Sequence, residues 1–509
     1  MTQAGICILI AIVAYMAIVI GIGYRFSKKN SNADDFYLGG RKLGPFVTAM
    51  SAEASDMSSW LLMGLPGVAY LSGIADAGWT AIGLAVGTYL NFLIVAKRLR
   101  RYTAAANNAI TLPQFFSNRF RDEKKILQYL AAIVIVIFFV PYTASGFAAC
   151  GKLFSSLFGV NYQTAMIISA IVIVGYTMLG GFLAASTSDF LQSIIMTIAL
   201  IVVVLFGINA AGGLNIVIDN AKELPGYLHM FSSYDGASHS AVSYNPLTVF
   251  STLAWGLGYF GMPHILLRFM AIEDENKLTL SRRIATVWVV ISMSVAVFIG
   301  IVGYSMSKAG ALEMLEGSNS ETVIVRIADL ISRHGVFAAL VAGVILAGIL
   351  ASTMSTADSQ LLAASSAVSS DLLGDRLKKN GKSALMAARI TLLLIAVLGM
   401  ILARDPDSSV FSIVSFAWAG FGASFGPVIL FSLFWKRTNR FGAMAGMLSG
   451  GIMIFVWKYA VRPLGGIWNI YELLPAFLIA CAMIMVVSLA TPAPSREIVE
   501  EFEKVASGK

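Results

Sequence analysis

The amino-acid sequence predicts an all-α, polytopic membrane protein whose 509 residues form a single transmembrane domain, 1–509. Hydrophobic residues make up 57% of the chain and charged residues only 13%, whereas soluble domains carry about 25% charge. Apolar runs of bilayer-spanning length recur along the whole chain. Two of these runs are interrupted by polar residues or by glycine and proline, which predicts a polar interior.

About 13 transmembrane helices are predicted from these runs. Their approximate bounds are 5–24, 45–71, 75–96, 127–157, 163–184, 188–211, 246–267, 284–307, 336–366, 384–403, 408–435, 441–461 and 472–491. Two long outer loops, 212–245 and 308–335, leave room for short helices. Cys7, Cys150 and Cys481 fall in apolar runs without metal or redox spacing, so we interpret them as small hydrophobic residues.

The distribution of basic residues predicts the orientation. The stretch before the first span has no Lys or Arg, so that span does not resemble a signal peptide and is expected to be retained. Of the 36 Lys and Arg residues, 28 fall in predicted inner segments and 8 on the outer side, as the positive-inside rule requires. This predicts a multi-pass protein of the cytoplasmic membrane, with its N-terminus outside and its cytoplasmic tail, 494–509, inside.

The basic inner segments also account for the net charge of +8, so no nucleic-acid partner is indicated. The most basic of them, 97–125, is expected to be held near anionic membrane lipid. Within it, Leu112–Phe120 is a candidate for a helix along the membrane interface. The tail is too short for a soluble domain, and no protein partner is implied.

The second span contains the stretch SAEASDMSSW, Ser51 to Trp60. Glu53 and Asp56 lie there inside an apolar run, and a carboxylate at membrane depth costs roughly 3 kcal/mol on insertion scales. Serine and alanine make the stretch a poor lipid-facing helix. It therefore predicts a helix that breaks near the membrane midplane to bind a cation and a small polar solute.

The seventh span contains a second break, WGLGYFGMPH, Trp255 to His264. Its three glycines and one proline favour unwinding. Two interrupted helices, five spans apart and oppositely oriented, indicate an inverted-repeat transporter. The first repeat would be spans 2–6 (45–211) and the second spans 7–11 (246–435), with spans 1, 12 and 13 outside the core. Alternatively, the glycines only permit close helix packing.

The ninth span supplies hydroxyl groups on one helix face. Ser352, Ser355, Thr356 and Ser359 follow i, i+3, i+4, i+7 spacing. Hydroxyls and freed backbone carbonyls are suitable oxygen ligands for a hard cation such as Na⁺. The alternative is that these side chains bond to carbonyls of their own helix or join helices together.

Asp189, at the start of the sixth span, and Asp358, inside the ninth, are the remaining carboxylates expected deep in the membrane. An intramembrane acid is a candidate ion ligand or proton carrier. For Asp189 the alternative is a helix N-cap in the sequence STSD.

Five stretches carry a resemblance to a known family: 34–67, 138–146, 180–192, 255–271 and 354–362. They include DDFYLGGRKLGPFVTAMSAEASDMSSWLLMGLPG, FFVPYTASG, GGFLAASTSDFLQ, WGLGYFGMPHILLRFMA and MSTADSQLL. With these motifs the chain resembles the sodium:solute symporter family, most closely its proline-transporting members. The resemblance implies a leucine-transporter-like inverted 5+5 repeat core, with one extra N-terminal and two extra C-terminal helices.

The resemblance also implies one Na⁺ site shared by the two repeats. Its ligands would be the carbonyls of Ala54, Met57 and Ser352 and the hydroxyls of Ser355 and Thr356. Asp56 resembles the family's acid required for coupling, and Arg41 matches a functionally sensitive position.

The proline-transporting members would place Ser58, Tyr142, Trp255, Tyr259 and Pro263 around the substrate. Aromatic faces can cover a pyrrolidine ring and attract its cationic nitrogen, and half-helix amide ends can receive its carboxylate. The chain departs from these relatives where Glu53 and Ser59 replace expected glycines and Met262 replaces an expected glutamine.

Some sialic acid transporters of the family have a second Na⁺ site, with an acid matching Asp189. The resemblance therefore also suggests the hypothesis of a second cation site formed by Asp189, Ser355, Asp358 and Ser359.

Together these patterns predict a Na⁺-coupled symporter that imports L-proline or a similar small solute by alternating access, without an organic cofactor. The alternatives within transport are another amino acid, a carboxylate or a sugar as solute, and H⁺ in place of Na⁺. A channel, sensor or membrane enzyme is disfavoured because the sequence offers no ligand ring, output domain or assembled catalytic site.

Overall fold

The computed structural model describes residues 2–27, 37–373 and 381–508. Within these ranges, nine helices are long and apolar enough to cross a membrane. The predicted inner segments 25–42 and 376–389 lie partly outside the described residues. The polytopic, predominantly helical architecture predicted from composition is therefore confirmed, while the count of 13 spans stays a prediction.

The first part of the chain is helical almost throughout. Its elements are α1 (Gln3–Ser27), α2 (Pro45–Asp56), a π-helical segment (Trp60–Gly64), α3 (Leu65–Ser72), α4 (Ile74–Ala105), α5 (Leu112–Arg119), α6 (Ile126–Phe158), α7 (Tyr162–Ala210) and α8 (Leu214–Lys222).

The second part begins with a β-hairpin that the all-helical prediction did not include. Its strands, β1 (Ser232–Asp235) and β2 (Ser240–Ser243), pair antiparallel within the long loop predicted at 212–245. The helices that follow are α9 (Pro246–Leu253), a 3₁₀ segment (Ala254–Phe260), α10 (Pro263–Ala271), α11 (Leu278–Lys308), α12 (Val323–Ser332), α13 (Val336–Ser366), α14 (Gly381–Leu402), α15 (Val410–Phe434), α16 (Arg440–Val456), α17 (Leu473–Ala490) and α18 (Arg496–Ser507).

Helix α7 changes direction at Gly181, a few residues before the boundary predicted between spans 163–184 and 188–211. Gly181 has φ 69° and ψ −175°, a backbone conformation that a residue with a Cβ atom rarely adopts. The second part of α7, Gly181–Ala210, is itself long enough to cross a bilayer.

Helix α5 corrects the expectation that Leu112–Phe120 lies along the membrane interface. Phe115 and Phe116 on this helix are fully buried. Phe115 packs against Tyr102 and Phe116 against Phe425, with ring centroids 5.7 Å apart in both pairs. The segment is therefore part of the protein interior, because its aromatic side chains find partners on α4 and α15 rather than in lipid.

Helix α13 occupies the centre of the fold, where it packs against α1, α6 and α7. Its run from Ile345 to Ser366 is buried, although it contains many hydroxyl side chains. Small residues in this run let neighbouring helices approach closely, as is typical of helix interfaces in membranes.

The 3₁₀ segment Ala254–Phe260 lies directly against the backbone of α4. A Cβ atom on Gly83 would lie 2.6 Å from the Leu253 carbonyl oxygen, and a Cβ atom on Gly87 would overlap the carbonyl of Gly256. The two elements therefore meet backbone to backbone, which only glycine allows.

A buried ion pair joins α6 to the segment before α12. Lys152 Nζ lies 2.8 Å from a carboxylate oxygen of Glu321, and both side chains are more than 90% buried. The same carboxylate accepts the backbone N–H groups of Val410 and Phe411 and the hydroxyl of Ser409. Glu321 thus also caps the start of α15.

The C-terminal helix α18 packs against the C-terminal end of α4. Phe502 is buried beside the Tyr102 ring and the guanidinium of Arg98. Arg121 and Glu501 form an ion pair at 2.6 Å. The predicted tail is therefore an amphipathic helix attached to the transmembrane domain.

Candidate ion and substrate site

The interruption after α2 forms one wall of the candidate site. Met57 leaves helical geometry at φ −78° and ψ 69°, and the Ser58 N–H bonds to the Asp56 carbonyl at 2.8 Å. Serine side chains favour such breaks because they compete for backbone hydrogen bonds. Because the Ser58 N–H turns to Asp56, the carbonyl of Ala54 loses its intrahelical partner and becomes available to α13.

The hydroxyl face of α13 forms the opposite wall. Ser355 Oγ donates a hydrogen bond to the Ala54 carbonyl at 2.7 Å and lies 3.0 Å from the Ser352 carbonyl oxygen. Thr356 Oγ1 lies 3.1 Å from the same Ser352 carbonyl. Met57, whose carbonyl is the fifth predicted ligand, is fully buried at the end of α2. The structure therefore gathers the oxygen atoms of Ala54, Ser352, Ser355 and Thr356 in one buried cluster.

Asp56 connects this cluster to two predicted substrate residues. The Tyr259 hydroxyl donates to Asp56 Oδ2 at 2.5 Å. The backbone carbonyl of Asp56 lies 3.5 Å from the Tyr142 hydroxyl and accepts the Trp60 indole N–H at 3.1 Å. Asp56 therefore links α2 to α6 and to the 3₁₀ segment.

An aromatic cluster surrounds Trp255 on the 3₁₀ segment. The Trp255 ring stacks on Tyr471 with centroids 5.1 Å apart and lies 6.1 Å from the ring of Trp60. Trp418 on α15 donates its indole N–H to the Trp255 carbonyl at 2.8 Å and packs edge-on against Tyr259. Sequence reasoning missed Trp418 and Tyr471. The signal for Trp418 in the sequence is a single tryptophan within a stretch of alanine, glycine and phenylalanine, FAWAGFG.

Ser58 and Pro263 flank the two helix breaks. Ser58 is 2% exposed, and its hydroxyl oxygen lies 3.4 Å from the Trp60 backbone nitrogen. Pro263 begins α10 after Met262, which has an extended backbone. Proline suits the first turn of a helix because no N–H is needed there.

The residues of the expected second cation site lie beside this region, around α10. Asp189 Oδ2 accepts hydrogen bonds from Ser51 at 2.6 Å and from Arg268 at 3.1 Å. Asp358 Oδ1 lies 3.3 Å from the Ser359 hydroxyl, and Ser359 donates to the Ser355 carbonyl. Asp189 lies well inside Gly181–Ala210, so the N-cap alternative for this residue is wrong.

Arg268 is the residue that sequence reasoning placed incorrectly, among the basic residues of the inner loops. It is 1% exposed inside α10, and its guanidinium donates to Asp189, to Ser51 at 3.0 Å and to Ser359 at 2.6 Å. A buried carboxylate retains an arginine in this way because an unpaired charge is costly in the interior. When Asp189, Asp358 and Arg268 are all ionised, these three residues together carry a net charge of −1.

Arg41 lies apart from the ion and aromatic clusters, at the end of α10. Its guanidinium donates to the Met270 carbonyl at 2.6 Å, to the Ala109 carbonyl at 2.9 Å and to Asn108 Oδ1 at 3.0 Å. It therefore connects α10 to the segment that follows α4 and does not line the pocket predicted for substrate.

Comparisons with known proteins agree with the motifs. The sequence pattern of the Sodium:solute symporter family matches residues 36–450. A protein named "Sodium/proline symporter" from Haemophilus influenzae is 42% identical over 504 residues, covering 97% of this chain and 97% of the relative. A protein with the same name from Salmonella typhimurium is 40% identical over 499 residues, covering 97% and 95%.

A solved structure shares the fold. It is that of a Na⁺-coupled sialic acid symporter, with a TM-score of 0.78 and 15% sequence identity over 96% of this chain and 99% of that chain.

Proposed function

The chain belongs to the sodium:solute symporter family, and on that premise we propose that it imports L-proline together with Na⁺ across the cytoplasmic membrane. The resemblance predicted from the motifs is thereby confirmed. Family membership makes the chain a transporter rather than an enzyme, with Na⁺ as the co-transported ion. Two relatives about 40% identical over nearly their full length support proline as the solute.

The observation that carries the proposed Na⁺ site is the contact between Ser355 and the Ala54 carbonyl. This contact brings a freed backbone carbonyl of α2 within 2.7 Å of a hydroxyl on α13. When Na⁺ enters, the Ser355 hydroxyl would turn its proton away so that both oxygens, with those of Met57, Ser352 and Thr356, face the ion. Binding would then join α2 to α13 through the ion in place of a hydrogen bond.

The proposed solute pocket lies between Ser58, Tyr142, Trp255, Tyr259 and Pro263. The rings of this set can cover an apolar pyrrolidine ring and attract its cationic nitrogen. The N-terminus of α10 at Pro263 can receive the solute carboxylate through backbone N–H groups.

Coupling is proposed to run through Asp56. Its side chain accepts a hydrogen bond from Tyr259 in the solute pocket, and the backbone around it supplies the carbonyls of the proposed ion site. Movement of the Tyr259 ring by the solute therefore acts on the same helix end that binds Na⁺. Because coupling between binding sites is reciprocal, proline should tighten Na⁺ binding by the factor by which Na⁺ tightens proline binding.

We propose that the transport core consists of two inverted repeats, 45–211 and 246–435. The interruptions of α2 and of the α9–α10 pair fall at corresponding places in these segments. Alternating access would then move one repeat against the other around the site. The orientation that goes with this arrangement has the N-terminus outside and the tail 494–509 inside, with Arg41 on the inner side.

Uptake of radiolabelled proline into proteoliposomes under an imposed Na⁺ gradient tests this function. We expect Ser355→Ala to raise the Na⁺ concentration for half-maximal uptake by about tenfold, because a ligand oxygen is lost. Ser169→Ala, which removes a buried hydroxyl that donates to the Ala165 carbonyl of its own helix, is the control and should leave the Na⁺ dependence unchanged. Proline is the wrong solute if excess unlabelled proline fails to compete. Uptake that needs a pH gradient and no Na⁺ would indicate H⁺ coupling.

The second cation site at Asp189, Ser355, Asp358 and Ser359 is a further candidate. Its support is the unbalanced negative charge: one oxygen of Asp189 and one of Asp358 are buried without a hydrogen-bond partner among the described residues. Asp358→Ala should reduce the number of Na⁺ ions transported per solute from two to one. A wild-type ratio of one that Asp358→Ala leaves unchanged would count against this site.

A further inference from the structure

Glu53 is a buried acid that the proposed ion and solute sites do not use. Its side chain is fully buried, and neither carboxylate oxygen has a hydrogen-bond partner in the described part of the chain. It precedes Asp56 by three residues on α2, so the two carboxylates share one helix face. Asp56 Oδ1 is likewise buried and unpartnered among the described residues.

Helix α4 brings two further polar side chains to the same place. The Asn91 amide donates to the Tyr259 carbonyl at 3.0 Å, and its Oδ1 is buried without a partner within the described ranges. Thr88, one turn earlier on α4, faces the Tyr259 hydroxyl, and Thr88 is 1% exposed. Because the same Tyr259 hydroxyl bonds Asp56, this tyrosine contacts Asp56 on α2 as well as Thr88 and Asn91 on α4.

The surrounding charges do not neutralise Glu53 and Asp56. Arg268, the buried cation of α10, donates to Asp189, Ser51 and Ser359 instead. His264, at the start of α10, packs its ring against Phe139 and Tyr142, and Asp358 on α13 adds a negative charge. Two ionised carboxylates with no counter-charge are very costly in a buried site.

The oxygen atoms around Tyr259 that lack a hydrogen-bond donor in the described part of the chain can all act as acceptors. The two Glu53 oxygens, Asp56 Oδ1, Asn91 Oδ1 and the Thr88 hydroxyl together offer five oxygen atoms, and two of the four side chains are acids. Such a set fits a small cation, which binds several oxygens and is favoured by carboxylates. It does not fit an anion.

We propose that Glu53 and Asp56, with Thr88 and Asn91, form a monovalent cation subsite that is separate from the Na⁺ site at Ala54 and Ser355. The occupant is either a further Na⁺ or the ammonium group of the transported solute. The ammonium assignment rests on the proposed uptake of proline, whereas the Na⁺ assignment does not. In both cases Glu53, which stands where the sequence resemblance leads one to expect glycine, changes what the neighbouring site selects.

Equilibrium binding of ²²Na⁺ and of radiolabelled proline to purified full-length protein tests the subsite. The main variant is Glu53→Gln, which keeps the size of the side chain and removes its charge. Glu53→Gly, a second variant, removes the buried carboxylate altogether and covers the case in which Glu53→Gln does not fold. Asp371→Asn is the matched control, because Asp371 is a buried acid that lies beyond the C-terminal end of α13 and bonds Thr111 and Gln128.

Each result has a defined meaning. If the occupant is Na⁺, Glu53→Gln loses one bound Na⁺ per protein even without proline, while Asp371→Asn keeps the wild-type number. If the occupant is the solute ammonium, the Na⁺ number stays constant and proline affinity at saturating Na⁺ falls by about tenfold or more. The proposal is overturned if a folded Glu53 variant binds both ligands within twofold of wild type. A wild-type protein that takes up no proline instead refutes the proposed function, and ²²Na⁺ binding still tests the subsite.

Discussion

Replacing Glu321 by alanine is expected to destabilise the protein by about 4 to 6 kcal/mol. The change leaves Lys152 as an unpaired buried cation, because its other contact is the Ser318 carbonyl at 3.3 Å. Breaking a buried ion pair from one side costs about 3 to 5 kcal/mol. The change also removes the acceptor for two backbone N–H groups at the start of α15, and loss of such a cap costs about 1 kcal/mol.

Replacing the other partner of the ion pair, Lys152→Met, is expected to lower the free energy of unfolding by less, about 1.5 to 3 kcal/mol. Glu321 keeps its bonds to Ser409 and to the backbone N–H groups of Val410 and Phe411. These three donors stabilise the carboxylate after the ammonium is lost. The double variant, Lys152→Met with Glu321→Ala, should cost less than the sum of the two single changes, by about 2 kcal/mol or more.

Thermal unfolding in detergent provides the measurement. Cys150 lies two residues before Lys152 and is fully buried. In protein whose other two cysteines, Cys7 and Cys481, are replaced by alanine, a thiol-reactive fluorescent dye therefore reports the opening of α6. Each single variant should unfold at a lower temperature than wild type, with Glu321→Ala the lower of the two. The reasoning is refuted if the two single variants are equally destabilised and their effects add without coupling in the double variant.

Two further predictions concern packing and pH. Gly87→Ala should abolish uptake, because its Cβ atom would overlap the backbone of Gly256, whereas Gly21→Ala, with nothing within 4 Å of the added carbon, should transport as wild type. Burial raises the pKa of Glu501 above its ordinary 4.5 despite Arg121 nearby. The folded state therefore binds more protons than the unfolded state, so α18 should dock most firmly below about pH 4.5 and loosen as the pH rises through the raised pKa. Limited proteolysis of the tail at several pH values measures this, and Glu501→Gln should flatten the profile.

The sequence predicts the positions of both helix breaks because local chemistry decides them. Serine and acid residues around Asp56, and the glycines before Pro263, disfavour a continuous apolar helix whatever surrounds them. The structure interrupts the chain after Asp56 and across the 3₁₀ segment Ala254–Phe260. The hydroxyl face of α13 was likewise predictable, because helical periodicity alone places Ser355 beside Ser352 and Thr356.

Other features depend on partners far away in the sequence. The charge of Arg268 predicts a position in a loop. It is nevertheless buried, because Asp189, about 80 positions earlier in the sequence, accepts a hydrogen bond from its guanidinium. Trp418 joins the aromatic cluster only because the 3₁₀ segment exposes the Trp255 carbonyl to it. The assignment of particular ligands to Na⁺ and proline stays a prediction until binding is measured.

The glycine contact between α4 and the 3₁₀ segment determines which second mutations can restore function after one of these glycines is replaced. A side chain added at Gly83 would meet the carbonyl of Leu253, and one added at Gly256 would meet the backbone of α4 at Gly83 and Gly87. Because the obstructing atoms are main chain, no second substitution can make them smaller. A genetic screen should therefore recover true revertants or distant suppressors that shift a whole helix, and no neighbouring compensatory change.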